Sequence, residues 1–323
     1  MEPGTAVTID DVERAARTIA GRVHRTPLLR SGTLSEQLAA DIRFKAELFQ
    51  RTGSFKVRGA LNRLSQLTDE EKRRGVISIS AGNHAQAVAW AAREEGVDAL
   101  IVMWKGADEL KVAATRGYGA EIDQQAENPT EAFDRLDELL AETGRTLVHP
   151  FNETAVIAGQ GTIALEILED GPVPDIVIAP VGGGGLVSGL ATALKARRPD
   201  VRVIGVEPER STALHDGLAA GHSVPVIPAS KADALSAPFA GENCVQICAA
   251  LGVESVLVSD DDLCDAFRWL YARMKVACEL GAAASTAALL SGKIVVEPGQ
   301  NIVAVVSGGN VAPQQAAAIL ASR

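Results

Sequence analysis

Hydrophobic positions gather in short unbroken runs: Val76-Ile77-Ser78-Ile79, Ile176-Val177-Ile178-Ala179 and Ile302-Val303-Ala304-Val305-Val306 stand out. Their brevity and β-branched content predict strands buried on both faces, as in a parallel sheet. Each run stops at a glycine-rich or asparagine-bearing loop: Ser80-Ala81-Gly82-Asn83-His84, Gly182-Gly183-Gly184-Gly185-Leu186 and Ser307-Gly308-Gly309-Asn310. Such loops fall at the carboxyl ends of strands, where open α/β sheets bind ligands. Three of them at one rim predict a site.

Elsewhere the period switches between helix and strand. Thr8 and Asp11 stand at capping-box spacing ahead of Val12, Ala15, Ala16 and Ile19, which predicts a helix over 8–20. Between 75 and 149 the units alternate: a strand to 80, a helix over 84–95 stopped by Gly96, a strand over 99–103 and a helix over 108–116. A strand near Ala120, a helix over 130–142 and a strand over 146–148 follow, so the stretch reads as a small α/β domain inserted into a larger one. From Asp175 the alternation resumes, with a strand over 202–207. The alanine stretches 282–284 and 316–318 predict tightly packed helices, and no repeat is visible.

Composition narrows the classes. With 323 residues, 47% of them apolar, the chain can bury a substantial core in one or two domains. A net charge of −10, with 31 Lys and Arg and no basic run, argues against nucleic acid or an anionic membrane as partner. Met1-Glu2-Pro3-Gly4 does not open a signal peptide and no membrane-length apolar run occurs, so a cytoplasmic protein is expected. Cys244, Cys248, Cys264 and Cys278 lack metal-ligand spacing and read as reduced and structural.

The candidate chemistry centres on Ser54-Phe55-Lys56-Val57-Arg58-Gly59-Ala60. An amine attacks a carbonyl only when its pKa is lowered, by desolvation or by a neighbouring cation such as Arg58. Lys56 therefore reads as a Schiff-base lysine; a surface lysine would suit the segment alone, and the three loops weight the first reading. Consecutive glycines let N–H groups converge on an anion, and a helix opening near Leu186 adds its dipole. A flexible linker would not sit between a strand and Leu186-Val187-Ser188-Gly189-Leu190. A dinucleotide site competes for the loop, since Glu207 ends the next strand. Its G-x-G-x-x-G spacing fails, because the third glycine would fall at Val187 or Ser188.

With these four motifs in this order, from about Thr26-Pro27-Leu28 to about Asn310-Val311, the chain resembles pyridoxal-phosphate enzymes of the tryptophan-synthase-β fold type. Within them it is most similar to the threonine dehydratase and serine racemase branch. The resemblance implies an α/β fold of two open, mostly parallel sheet domains with helices on both faces and pyridoxal 5′-phosphate in the cleft between them. It implies a small domain over 65–149 and a large one built from 1–64 and 150–323. Carried over position by position, it makes Lys56 the cofactor lysine, puts Phe55 at the cofactor, and gives Asn83 a hydrogen bond to the phenolic oxygen. Gly182, Gly183, Gly184, Gly185 and Leu186 receive the phosphate, while Ser307, followed by Gly308, meets the pyridine nitrogen. A serine there does not hold that nitrogen protonated as an aspartate would, which suits β-elimination better than transamination. Ser80, Ala81, Gly82, Asn83 and His84 become the substrate loop, braced by His84.

Departures from the family pattern set the subclass. Racemases of this branch carry a serine where this chain has Ala81, and dehydratases carry alanine, so elimination is favoured. The racemase cation ligands map to Glu207, the Ser211 carbonyl and, in place of an aspartate, Ala213; the first two remain for Mg2+ or another cation completed by water. Asp233-Ala234 replaces the usual Asp-Gly, a methyl that could narrow the pocket, and Cys278-Glu279-Leu280-Gly281-Ala282 replaces Val-Glu-Pro-Ala-Gly. Trp104 stands where proline is common.

The implied activity is a dehydratase (ammonia-lyase): Lys56, released by exchange with the substrate amine, takes the Cα proton while Ser80 and loop N–H groups hold the carboxylate. Water leaves L-threonine or L-serine, and hydrolysis yields a 2-oxo acid and ammonia. A racemase and a β-replacement synthase are alternatives on the same fold; the synthase would show Thr-Ser-Gly-Asn-Thr in place of 80–84. A non-catalytic amino-acid sensor would have lost Lys56 or a cofactor loop. The short tail after Asn310 leaves no room for a regulatory domain, so control by isoleucine is not expected, and the family implies a homodimer.

Overall fold

The computed structural model describes residues 7–322, and the reading of Met1 to Gly4 lies outside the described residues. Among the described residues ten strands form two sheets. In chain order they are β1 (Leu28–Arg30), β2 (Asp41–Ala46), β3 (Val76–Ile79), β4 (Ala99–Trp104) and β5 (Glu121–Ala126). Then come β6 (Thr146–Leu147), β7 (Ile176–Pro180), β8 (Arg202–Pro208), β9 (Glu254–Val258) and β10 (Asn301–Val306). The larger sheet runs β1-β2-β10-β7-β8-β9, parallel except for the antiparallel edge strand β1. The smaller sheet, β5-β4-β3-β6, is parallel throughout.

The three apolar runs are central strands, and both their faces are buried. Ile176, Ile178, Ile302 and Ala304 join one core with Phe44 and Phe267, while Val177, Ala179, Val303 and Val305 join another with Leu190 and Leu194. This two-sided burial is why the runs show no polar alternation. The first helix, Ile9–Ile19, has the expected capping box between Thr8 and Asp11. The predicted helices of the 75–149 stretch appear as Asn83–Glu95, Glu109–Gly117 and Pro129–Thr143, displaced at their ends by one residue or so. Among the described residues no helix is long and apolar enough to cross a membrane. All four cysteines are free and buried.

Two expectations change. The alanines at 316–318 do lie in a helix, Pro313–Ala321, but Ala317 and Ala318 are exposed and only Ile319 is buried, so this helix is not tightly packed. The three loops also do not share one rim: Ser80–His84 follows β3 of the small sheet, whereas the other two follow β7 and β10 of the large one. They meet because the carboxyl ends of the two sheets are brought together by the helix Lys56–Leu64, whose Val57, Ala60, Leu61 and Leu64 pack with the helix Asn83–Glu95.

Candidate active site

Lys56 opens the helix Lys56–Leu64, next to Phe55, over whose ring its amine lies at 5.3 Å from the centroid. The approach to it is built by pairing. Phe55 donates its N–H to the Ser307 carbonyl (3.1 Å), Gly309 donates to the Gly53 carbonyl (2.8 Å), and Ser54 bridges Gly308 antiparallel. The lysine loop and the serine loop are thus one short ribbon. The Lys56 amine donates to the Pro150 carbonyl at 2.8 Å. Burial pushes its pKa down to about 8, against the opposing influence of Cys244 and Glu279. Arg58 is not the neighbouring cation expected from the sequence. Its guanidinium is fully buried against Glu47 (2.8 Å) and Glu166 (2.7 Å), so the lowering of the lysine comes from desolvation and not from Arg58.

The asparagine loop reaches the same point. Asn310 Nδ2 donates to the Thr52 carbonyl and to Asn83 Oδ1, both at 2.8 Å, and Asn83 Nδ2 donates to Glu279 Oε1 at 2.6 Å. With its oxygen and one N–H committed, the Asn83 amide is held in one orientation and keeps a second N–H to offer. Glu279 is buried, its other oxygen has no partner, and burial together with Asp233 pushes its pKa up to about 7. The sequence alone assigns Glu279 no role; its signal was that it alone keeps the family residue in a segment whose other four positions depart from the pattern. Ser80 Oγ accepts the Gly82 N–H (3.1 Å), folding the loop that also presents Ala81. His84 lies buried with Nε2 at 3.1 Å from the Val148 carbonyl, and burial lowers its pKa to about 3, so it is a neutral brace.

The tetraglycine loop runs from β7 into the helix Gly185–Arg197, whose first N–H groups have no intrahelical acceptor. Gly184 has φ +93°, which favours glycine, and a Cβ there would stand 2.7 Å from Cys244 Cβ. A Cβ on Gly183 would enter the ring of Phe151, and one on Gly185 would lie 3.1 Å from the Phe151 carbonyl oxygen. Gly183 and Gly184 therefore admit no side chain without a shift, and Gly182 and Gly185 are tight. Changing Gly183 to alanine is expected to displace the loop or Phe151 by the better part of an ångström and to weaken turnover by about a hundredfold; steady-state kinetics and cofactor titration check this.

Ala234 and Gly281 are neighbours in the fold. A Cβ on Gly281 would stand 2.9 Å from Leu235 Cγ and 3.4 Å from the Ala234 methyl, so Leu235 is what crowds position 281 while Ala234 lies at ordinary contact distance. Asp233 is ion-paired with Lys111 of the helix Glu109–Gly117. Glu207 is buried and both its oxygens accept N–H bonds, from Leu214 (2.7 Å) and His215 (2.8 Å), at the start of the helix Ala213–Ala220. It caps that helix, and among the described residues no cluster of three His, Cys, Asp or Glu could hold a metal.

The arrangement suits pyridoxal 5′-phosphate: a glycine cradle at a helix N-terminus for the phosphate, a desolvated lysine amine for the aldehyde, and a buried serine, Ser307, with an oriented amide beside them. Comparison with known proteins agrees. The family described as pyridoxal-phosphate dependent enzyme matches residues 19–308. The catabolic L-threonine dehydratase TdcB of Escherichia coli (strain K12) is 42% identical over 310 residues, covering 94% of this chain and 93% of that protein. Among solved structures, maize serine racemase superposes with a TM-score of 0.91 at 36% identity, covering 96% of this chain and 95% of that one. A threonine deaminase from T.th. does so with a TM-score of 0.88 at 40% identity, covering 94% and 99%.

Proposed function

The chain belongs to the pyridoxal-phosphate dependent enzyme family, and from that premise we propose that it is an ammonia-lyase removing water from a β-hydroxy amino acid, L-threonine or L-serine, to give a 2-oxo acid and ammonia. One observation carries the reading: the buried Lys56 amine, bonded to the Pro150 carbonyl, stands on the ribbon shared with the serine loop, which Asn310 ties to Asn83, while Phe151, next to Pro150, packs on the glycine loop. Relatives 40% and 42% identical, named threonine deaminase and L-threonine dehydratase, support the same chemistry.

When bound, pyridoxal 5′-phosphate supplies an aldehyde that condenses with amines and a conjugated ring that takes up electrons released at Cα. The chain's own residues do the rest. Gly182 to Leu186 would hold the phosphate through N–H groups, Asn83 would offer its free N–H to the ring oxygen, Phe55 would line the cofactor site, and Ser307 would serve the ring nitrogen. Ser80 and the N–H groups of the 80–84 loop hold the substrate carboxylate. Lys56, neutral above about pH 8, removes the Cα proton as general base. Ala81 offers no proton on its side, so elimination rather than racemisation follows. Glu207 accepts two backbone N–H groups, and no step of this reading is routed through a cation.

We take 65–149 as the small domain, 1–64 with 150–323 as the large one, and the working protein as a cytoplasmic homodimer. Incubating the purified protein with threonine, serine and 3-hydroxyaspartate, and following 2-oxo acid, ammonia and enantiomer separately, tests the activity. Oxo acid with ammonia is expected from threonine or serine; enantiomer alone would make it a racemase, and no oxo acid from any of the three would reject the lyase.

A further inference from the structure

The turn His149-Pro150-Phe151-Asn152, between β6 and the helix Thr154–Asp170, is folded by one side chain. His149 Nδ1 accepts the N–H of Phe151 (3.3 Å) and of Asn152 (3.0 Å). An asparagine or aspartate makes the same bonds when it folds an Asx turn onto its own backbone. The backbone N–H of His149 is held in turn by Glu153 Oε2 at 3.1 Å. Nδ1 can accept only when unprotonated, and burial followed by the charge of Lys56 keeps it so, pushing the pKa down to about 4.

Pro150 and Phe151 of the turn face the site. The Pro150 carbonyl receives the Lys56 amine at 2.8 Å. Proline has no N–H to anchor it, so the bonds on either side fix the direction of that carbonyl. The Phe151 ring fills the space beside Gly183, and its carbonyl accepts the Cys244 thiol at 3.3 Å. Asn152 Oδ1 accepts the Asn243 N–H at 2.9 Å, tying the turn to the helix Glu242–Ala250. The imidazole also meets the Phe151 ring edge-on, with centroids 4.7 Å apart.

We propose that His149 is a positioning residue: its Nδ1 folds the turn that aims the Pro150 carbonyl at the Lys56 amine and seats Phe151 beside the glycine cradle. This rests on the reading of Lys56 as the cofactor lysine. An amine released from that carbonyl samples several positions, and both capture of the cofactor aldehyde and proton removal slow, since each needs the nitrogen in one place.

Two variants separate the acceptor from the aromatic packing. His149→Phe keeps a ring against Phe151 and Phe239 without an acceptor; His149→Asn restores a short acceptor and loses the ring. Cofactor-stripped proteins are mixed with pyridoxal phosphate and capture is followed by absorbance, alongside kcat, KM and thermal midpoint. His149→Phe is expected to capture the cofactor about tenfold more slowly and to lose about tenfold in kcat with KM within about threefold, while His149→Asn returns to within about threefold of the parent. Equal capture by all three proteins overturns the proposal, as does an asparagine variant as slow as the phenylalanine one at an unchanged thermal midpoint. If His149→Phe does not fold, His149→Leu takes its place with the same expectations. A parent protein that captures no pyridoxal phosphate at all would instead reject the reading of Lys56.

Discussion

Replacing Lys56 with alanine is expected to cut turnover by about a thousandfold or more, towards the upper end of what a positioned general base contributes. The folded structure should survive, because the amine's hydrogen bond is a single one, to the Pro150 carbonyl, and its desolvation costs the protein stability while it is charged. Loss of activity at an unchanged unfolding midpoint is therefore the expected pair of results. The parent protein adds a pH signature. The amine is lowered from 10.5 to about 8, so it becomes the neutral nucleophile as pH rises through about 8. Capture of pyridoxal phosphate by stripped protein should climb roughly tenfold per pH unit below that point and level above it. A rate still climbing towards pH 10.5 would mean that burial does not tune this lysine.

Replacing Arg58 with methionine is expected to destabilise the protein by about 3–5 kcal/mol, the range seen when one partner of a buried ion pair is removed. The guanidinium is wholly buried, donates to both oxygens of Glu47 and to Glu166, and also meets Thr162 and the His24 carbonyl. Lys45, equally buried, shares Glu166. Burial alone would raise Glu166, yet the hydrogen bonds and charge of Arg58 and Lys45 hold it below the ordinary carboxylate range. Without Arg58 the Glu47 carboxylate, also fully buried, loses its cation. Denaturant unfolding of Arg58→Met and of Arg58→Met with Glu47→Gln separates the causes. Partial recovery in the double variant is expected if the uncompensated charge dominates, and none if lost packing does.

The sequence disclosed the elements whose physics is local. Runs such as Ile176 to Ala179 and Ile302 to Val306 are apolar because both sheet faces are covered, and their following loops announced the site. β2 alternates polar and apolar residues, the period of a strand covered on one face, and what its sequence does not show is that Lys45 is buried, neutralised by Glu166 far along the chain. β1 and β9 are the two edge strands of the large sheet, the first only three residues long, and neither has the two-sided burial that marks the centre. Arg58 was misread for a related reason. Its sequence neighbour is Lys56, but the helix turns it towards Glu47 and Glu166, and only the fold reveals those partners. Glu279 and His149 were missed as site residues because their partners, Asn83 and the 151–152 backbone, are set by tertiary contact or turn geometry. His149 did have a signal: it follows a predicted strand end, as the three recognised loops do.

The central claim is that Lys56 carries the cofactor, and borohydride reduction tests it most directly. The protein is supplied with pyridoxal phosphate, reduced, digested and mapped by mass. A permanent pyridoxyl adduct on the peptide containing Lys56 is the result predicted. A colourless protein with no added mass on that peptide, or an adduct confined to another lysine, would contradict it.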